Sequence, residues 1–220
     1  MRKQIVVIGT GRFGSAVALT LVDGGHEVIA IDHQEAALRE VVDQVAHTAI
    51  ADGTDEEALR RLGVANADVV VVAIASDFEA SVLATVAARA AGAQRIVAKA
   101  TSVTAARVLA RVGADEVVRP EHDMGVRLAM QIATPSIVDA FKLGEGHEVV
   151  EVAIRPDSDL TGTLAKLRLR NRFGIHVIAV DRDGDLMVAP GPECELRIGD
   201  RLVVIGKVEA IERFERSMDG

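Results

Sequence analysis

Three glycines near the start of the chain have the spacing that brings a polypeptide backbone close to phosphate. Gly9, Gly11 and Gly14 follow four consecutive aliphatic residues, which predict a strand buried on both faces. We expect Gly9 to permit a tight turn, Gly11 to let the backbone approach a phosphate, and Gly14 to let a helix pack against the strand. The first amides of that helix, with its dipole, would attract phosphate oxygens.

An acidic residue at the end of the next aliphatic run strengthens this interpretation. Asp32 follows Val28–Ile31, and its carboxylate could accept hydrogen bonds from both hydroxyls of a ribose. A strand, a glycine turn, a helix, a second strand and a terminal acid predict a nucleotide site more specifically than the glycines alone. The alternative is a plain glycine turn beside a solvated Asp.

Polar residues also follow the later aliphatic runs, where a parallel sheet would present them to the same ligand. Asp52 follows the third run, where an acid can meet the exocyclic amine of adenine; an exposed turn residue is the equal alternative. Asp77 follows the fourth run together with Ala75 and Ser76, near the point where a nucleotide must cross the sheet edge. Lys99 ends the fifth run and either faces this crevice or is an ordinary exposed strand end.

Two charged residues have roles that spacing leaves open. Arg12 lies inside the glycine loop and could reach phosphates beyond those held by the backbone, but many dinucleotide enzymes also have a basic residue there. Glu121 follows Pro120 and, taken alone, is an acid that favours the start of a helix. The six histidines never occur at metal-ligand spacing such as i and i+4, and Cys194 has no neighbouring base.

The elements that would position these residues alternate between strand and helix through the first half of the chain. Aliphatic runs predict six strands, and amphipathic stretches predict helices between them, with Thr54 and Glu57 as a capping box for the helix that follows the third strand. This alternation predicts an α/β fold with a Rossmann-like, doubly wound parallel sheet. A ligand would lie at the carboxyl ends of its strands.

The alternation stops after the sixth predicted strand. Asp123–Phe141 predicts a helix interrupted near Pro135, with no strand immediately after it, which either contacts a second subunit or links two domains. From about Gly144, short strands, helices and hairpin turns predict a small α+β domain. We therefore expect three parts, a nucleotide-binding domain, a linking helix region and a C-terminal domain, at 1–122, 123–143 and 144–220.

Composition narrows the function further. The net charge of −8 argues against nucleic-acid binding, and the single Cys excludes an intramolecular disulfide framework. No apolar stretch approaches the roughly 20 residues that span a bilayer, so we expect a cytoplasmic protein without direct bilayer insertion. The chain lacks Tyr and has no evident cluster of His, Lys and acids for a substrate. A sensor is therefore favoured over the alternative, a small NAD(P)-dependent oxidoreductase.

The sequence resembles the regulators of potassium conductance, known as the KTN or RCK domain family. Within it, the chain is similar to the cytosolic nucleotide-binding subunits of Ktr and Trk potassium uptake systems. The resemblance covers nearly the whole chain. It rests on the glycine loop and on the motifs Ala30–Asp32, Ala51–Thr54, Val97–Ala100, Gly113–Asp115, Pro120–Gly125, Leu160–Gly162, Phe173–Ile175 and Gly199–Gly206.

The resemblance implies a regulatory subunit that is not an enzyme. It implies dimers joined by the helix after the sheet, an octameric ring, and docking under an integral-membrane potassium channel or transporter subunit on the cytoplasmic face. ATP would activate and ADP inactivate, or NAD(H) would bind. The implied nucleotide-binding residues are Gly9, Thr10, Gly11, Arg12, Phe13, Gly14, Asp32, His33, Asp52, Gly53, Thr54, Ala75, Ser76, Asp77, Lys99 and Glu121.

The resemblance also implies particular roles. Arg12 would lie near the terminal phosphate across a dimer interface, and Glu121 would help hold a divalent cation, Mg or Ca, beside the phosphates. The C-terminal domain would bind cyclic di-AMP between two subunits. Its candidate residues depart from the family pattern at His176, where relatives that bind this nucleotide often have Asn; the candidates are Arg168, Arg170, Asn171 and His176.

Overall fold

A computed structural model describes residues 2–74, 77–133, 137–143, 146–156 and 158–218 of the chain. The side chains at 130, 131, 133 and 137–142 fall outside this description. The chain forms two compact units, Met1–His122 and Asp123–Gly220.

The first unit is built on six parallel strands in the order β3-β2-β1-β4-β5-β6. The strands are β1 Gln4–Ile8, β2 Glu27–Asp32, β3 His47–Ile50, β4 Val69–Val72, β5 Ile96–Lys99 and β6 Glu116–Val118. The helices are α1 Arg12–Asp23, α2 Glu35–Leu38, α3 Glu56–Arg61, α4 Phe78–Ala90 and α5 Val103–Val112, with a 3₁₀ turn at Val64–Asn66. This confirms the predicted doubly wound, Rossmann-like sheet. Its strand order reverses between β1 and β4, where such sheets bind ligands.

The aliphatic run of β1 lies at the centre of this sheet and is buried on both faces. Val6 and Ile8 pack in one apolar cluster, whereas Ile5 and Val7 pack in another. Successive side chains of a strand point to opposite faces, so helices must cover both sides of the sheet. An uninterrupted aliphatic run is therefore what this position requires.

The start of α3 differs from the prediction. Asp55, and not Thr54, caps the helix: its side chain accepts hydrogen bonds from the amides of Glu57, at 2.9 Å, and Ala58, at 3.1 Å. The predicted capping box of Thr54 and Glu57 is wrong. The hydroxyl of Thr54 instead donates to Asp52, two residues earlier, so it is not available to cap α3.

The second unit contains an antiparallel sheet in the order β11-β10-β13-β8-β7 and a two-stranded sheet of β9 and β12. The strands are β7 Ile137–Lys142, β8 His147–Ala153, β9 Gly162–Thr163, β10 His176–Arg182, β11 Asp185–Val188, β12 Glu195–Leu196 and β13 Arg201–Lys207. The helices are α6 Pro120–Ala133, which begins in the first unit, α7 Leu164–Leu167, α8 Leu169–Phe173 and α9 Val208–Arg216.

The segment after α6 corrects a second expectation. The predicted helix through Phe141 is wrong, because α6 ends at Ala133 and Ile137–Lys142 forms β7, antiparallel to β8. Pro135 disfavours helix at the residue before it, and the β-branched Ile137 and Val138 suit a strand. Pairing with the edge of β8 makes this segment a strand, and the local sequence does not show that this edge is available. No helix within the described residues is long and apolar enough to cross a membrane.

Candidate functional site

The glycine loop between β1 and α1 combines two glycines that the fold itself requires. Gly9 has φ +92°, and a Cβ there would lie 3.2 Å from the backbone of Ala73 and Ile74. A Cβ on Gly14 would lie 1.9 Å from the carbonyl oxygen of Gly9. These glycines explain how α1 packs so closely against the end of β1, as the spacing predicted.

Gly11 is different, because no contact among the described residues requires a glycine at this position. It has an ordinary φ of −65° and is exposed. Apart from Gly11 and its two chain neighbours, no described residue has an atom within 4 Å of where its Cβ would stand. Gly11 is the N-cap of α1, whose first turn has neither a side-chain cap nor an acidic residue. The helix therefore presents uncapped amides beside open space, which is the arrangement that holds phosphate oxygens.

Asp32 ties the end of β2 to this loop. Its Oδ2 accepts hydrogen bonds from the amide and the hydroxyl of Thr10, at 2.8 and 3.2 Å, and its Oδ1 accepts one from the amide of Gln34, at 2.9 Å. Asp32 and Thr10 are both buried. A carboxylate has about four lone-pair positions, and these three hydrogen bonds leave one, on Oδ1, for a ribose hydroxyl. The contact with ribose stays a prediction.

His33 and Asp52 follow β2 and β3, which are neighbouring strands of the sheet. The exposed His33 places Nδ1 3.3 Å from Oδ1 of Asp32 and Nε2 3.0 Å from Nε2 of Gln34. Asp52 is exposed and accepts the amide and hydroxyl of Thr54, at 2.9 and 2.8 Å. These two hydrogen bonds lower the pKa of Asp52, and the charge of His33 contributes less.

Close packing requires a glycine at position 53, which the sequence alone did not indicate. A Cβ on Gly53 would lie 2.4 Å from Cγ2 of Ile8, the last residue of β1. The turn after β3 therefore packs directly on the end of the central strand. This contact places Asp52 and Thr54 at the same edge of the sheet as the glycine loop.

Lys99 is buried, so it is not an ordinary exposed strand end. Its side chain is 7% exposed, and its Nζ lies 2.5 Å from Oε1 of Glu121 and 5.2 Å from the centre of the Phe13 ring. The Glu121 side chain is 67% exposed. The hydrogen bond from Lys99 is the main cause that lowers the pKa of Glu121, and the charge of Arg12 contributes least. The structure thus brings Arg12, Phe13, Lys99 and Glu121 together.

Glu121 could supply one hard oxygen ligand of the kind that Mg or Ca prefers. Its Oε1 already accepts from an ammonium, however. Across the described ranges, no group of three His, Cys, Asp or Glu side chains is arranged to hold a metal ion. Glu121 therefore fits a cation site only as one ligand among others, such as phosphate oxygens or groups from a second copy.

The remaining predicted residues of the first unit follow β4. Asp77 is exposed and caps α4, where its Oδ1 accepts the amide of Ala80 at 3.1 Å. Ala75 and Ser76 lie outside the described residues. Within the described residues, Asp77 therefore acts as a helix cap. The contact of Asp77 with a nucleotide stays a prediction.

In the second unit, all four residues predicted for a second ligand line one open pocket of about 340 Å³. Arg168 has φ 49° and stands between α7 and α8, so the chain turns sharply there. The apolar part of the lining comes from both helices and from the start of β10. The pocket residues are Leu164, Ala165, Arg168, Leu169, Arg170, Asn171, Ile175, His176 and Val177.

Comparisons with solved structures place this fold among known RCK domains. The structure of the GsuK RCK domain matches with a TM-score of 0.70 at 18% identity, over 100% of this chain and 48% of that chain. The GsuK channel bound to NAD matches with a TM-score of 0.54 at 28% identity, over 99% of this chain and 38% of that one.

Sequence comparisons agree over almost the full length. Residues 5–120 match the TrkA-N domain, and residues 149–219 match the TrkA-C domain. The Ktr system potassium uptake protein C of Bacillus subtilis is 38% identical over 217 residues, 98% of this chain and 97% of that protein. The Ktr system potassium uptake protein A of Vibrio alginolyticus is 36% identical over 217 residues, 98% of each. The chain therefore belongs to the family of potassium uptake proteins that combine a TrkA-N domain with a TrkA-C domain.

Proposed function

We propose that this chain is a nucleotide-responsive regulatory subunit of a potassium uptake system, and not an enzyme. Relatives at 33–38% identity that match nearly its full length are Ktr system potassium uptake proteins. The observation that supports nucleotide binding is the start of α1, where the first amides have no side-chain cap. The space beside Gly11 is open to a phosphate. This loop binds phosphate without supplying any chemical step.

The proposed nucleotides are ATP and ADP, with NAD(H) as the other member of the same class. Backbone amides at the start of α1 would hold the inner phosphates, while Arg12 and Lys99 supply positive charge for an outer phosphate. Asp32 would accept a hydrogen bond from a ribose hydroxyl. The GsuK channel, a structural neighbour at 28% identity, has been solved bound to NAD, which supports a nucleotide as the ligand of this chain. The γ-phosphate of ATP would contact both copies of a dimer and so favour one arrangement of the two. ADP has no γ-phosphate and would not favour that arrangement.

An apolar stripe on α6 supports assembly with a second copy. Met124, Leu128 and Ile132 are spaced by four residues along one side of the helix, and they are 58%, 53% and 71% exposed. Such a stripe is stable when a partner covers it. We propose that α6 joins a dimer, that dimers form an octameric ring, and that the ring docks on the cytoplasmic face of an integral-membrane potassium channel or transporter subunit.

The pocket of the second unit supports a second nucleotide, cyclic di-AMP. Arg168 and Arg170 would pair with its two phosphates, and Asn171 and His176 would offer hydrogen bonds to its bases or sugars. Titration of the full chain with cyclic di-AMP tests this assignment, with Arg168→Ala as the variant that should weaken binding. An unchanged affinity in that variant would contradict the role of Arg168.

The principal experiment is calorimetric titration of the full chain with ATP, ADP, NAD and NADH at fixed magnesium, combined with native mass spectrometry. We expect at least one nucleotide to bind, with a fixed number of bound nucleotides for each subunit of the assembly that native mass spectrometry measures. Gly11→Ala fills the open space at the phosphate site and should weaken binding at least tenfold. Gly191→Ala is the matched control, because its Cβ position is equally uncrowded and lies in the second unit. Failure of all four nucleotides to bind the unsubstituted chain would refute the proposal.

Hydride transfer is a separate outcome of the same experiment. A carbonyl panel supplied with NADH or NADPH should show no turnover if the chain is a regulator. Turnover that Gly11→Ala abolishes would identify the site as that of an oxidoreductase instead.

A further inference from the structure

The exposed imidazole of His33 lies beside the one acceptor position of Asp32 that the protein leaves open. Three hydrogen bonds, from Thr10 and Gln34, leave one lone pair on Oδ1 of Asp32. Nδ1 of His33 lies 3.3 Å from this same oxygen. The side chain of His33 is 71% exposed and that of Asp32 is 9% exposed. The ring can therefore turn toward or away from a carboxylate that is itself held in place.

The contact of the neutral ring with Asp32 is weak. Nε2 of His33 lies 3.0 Å from Nε2 of Gln34. With the Gln34 amide in this orientation its nitrogen donates, so Nε2 of His33 accepts, and the hydrogen of a neutral ring is on Nδ1. The distance of 3.3 Å from Nδ1 to Asp32 is longer than the upper end of the usual range for an N–H···O hydrogen bond, about 3.2 Å.

Protonation changes this weak contact into an ion pair. The charged groups that face the ring are carboxylates from two elements, Asp32 at the end of β2 and Asp52 in the turn after β3. The charge of His33 is one of the causes that lower the pKa of Asp52. Both carboxylates attract the imidazolium, so the charged ring is held beside Asp32 more firmly than the neutral ring. The exposed amide of Gln34 can turn its oxygen toward the protonated Nε2.

The imidazolium and a ribose hydroxyl need the same position on Asp32. One lone pair accepts one donor, so a ribose that binds Oδ1 must displace the ring. Displacement of the charged ring breaks an ion pair, whereas displacement of the neutral ring does not. Histidine is the side chain whose charge ordinarily changes between about pH 5 and 8, so this difference is accessible in solution.

We propose that His33 competes with the ribose of the nucleotide for Oδ1 of Asp32, so that protonation of His33 weakens nucleotide binding. This inference rests on the proposed nucleotide binding and makes that same site sensitive to pH. It reverses the role that family resemblance implies for His33, because the residue opposes the nucleotide instead of holding it. By reciprocity, nucleotide binding releases a proton from His33 in mildly acidic solution.

Calorimetric titration of the full chain with ATP and with NAD, at about pH 5.5 and at about pH 8, tests this inference. His33→Ala removes the competitor and should bind nucleotide about threefold more tightly than the unsubstituted chain at the lower pH, with a smaller gain at the higher pH. His33→Gln carries no charge and should show the same dependence of the gain on pH. His47→Ala is the matched control and should show no gain, because His47 is an exposed histidine at the opposite end of β3 from the site.

The dideoxy analogue of ATP separates this competition from a general effect of charge. The analogue lacks both ribose hydroxyls and cannot use a free Oδ1, so His33→Ala should not bind it more tightly than the unsubstituted chain does. Each comparison uses one ligand with two chains, so the titration of the ligand's own phosphates cancels.

Three results would overturn the inference while nucleotide binding itself stands. They are an equal gain with the dideoxy analogue, the same pH profile for His33→Ala and the unsubstituted chain, and weaker binding by His33→Ala at the lower pH. Absence of binding by ATP and NAD at both pH values would instead count against the proposed function, and this inference would fail with it. Thermal unfolding at each pH confirms that the variants are folded.

Discussion

The carbonyl oxygen of Gly9 lies 1.9 Å from the position that a Cβ of Gly14 would occupy. Backbone atoms cannot move aside as a flexible side chain can, so Gly14→Ala must displace α1 from the end of β1. We expect this substitution to lower the free energy of unfolding by roughly 2–4 kcal/mol. Urea denaturation measures the effect. Gly11→Ala, where no atom crowds the new methyl group, should cost at most about 1 kcal/mol.

Asp32→Asn should destabilise the first unit although the two side chains have the same shape. Both carboxylate oxygens accept backbone amides, from Thr10 and from Gln34. The amide of Asn has one acceptor oxygen, so one backbone N–H would face an NH₂ group. The expected cost is about 1–3 kcal/mol, measured by urea denaturation.

Asp77→Asn is the matched control for that substitution. Among the described residues, the side chain of Asp77 accepts one hydrogen bond, from the amide of Ala80 to Oδ1, and Asn caps helices about as well as Asp. We expect a change within about 0.5 kcal/mol. Equal losses for Asp32→Asn and Asp77→Asn would contradict the double role of the Asp32 carboxylate.

Arg12→Ala should affect the choice between nucleotides more than their total affinity. Arg12 is exposed at the start of α1, and its charge is one of the causes that lower the pKa of Glu121. If it meets an outer phosphate, its loss should reduce the ATP-to-ADP affinity ratio by about fivefold or more. Calorimetric titration with both nucleotides measures the ratio. Equal weakening of ATP and ADP would assign Arg12 to an inner phosphate or to none.

An ion pair with a buried carboxylate should make the second unit sensitive to acid. The side chain of Asp200 is 2% exposed. Its two oxygens accept hydrogen bonds from Nε and from a terminal nitrogen of Arg182, at 2.8 and 2.7 Å. One of these oxygens also accepts a hydrogen bond from the amide of Arg197. The hydrogen bond from Arg182 is the main cause that lowers the pKa of Asp200 below its usual 3.8. A depressed pKa stabilises the folded state above the unfolded value, and this contribution disappears as the pH falls through the folded pKa.

We therefore expect stability to decline below about pH 4, and Asp200→Asn to flatten that part of the profile. Thermal unfolding between pH 2 and pH 7 measures both curves. Arg182→Ala leaves a buried carboxylate without its main partner and should cost roughly 2–3 kcal/mol at neutral pH. A profile for Asp200→Asn that keeps the full acid decline would show that other carboxylates cause it.

Much of the first unit was predictable because its signals are local. The aliphatic run before Gly9 indicates a strand buried on both faces, and the loop that follows needs glycine for steric reasons confined to a few residues. The position of Asp32 at the end of a strand made it a candidate residue, and the structure shows it hydrogen-bonded to Thr10 in the glycine loop. The strand after α6 was missed, because Ile137–Lys142 becomes a strand through pairing with β8.

The geometry of the glycine loop was thus determined by the sequence alone, since turn geometry and close packing act between near neighbours in the chain. The partner of Lys99 was decided by the tertiary structure. Lys99 and Glu121 are separated by a helix and a strand, and they meet because β5 and β6 lie side by side in the sheet. Taken singly, each residue had a simple surface role. Burial of Lys99 against Phe13 requires a counter-ion, and that requirement joins the glycine loop to the first turn of α6.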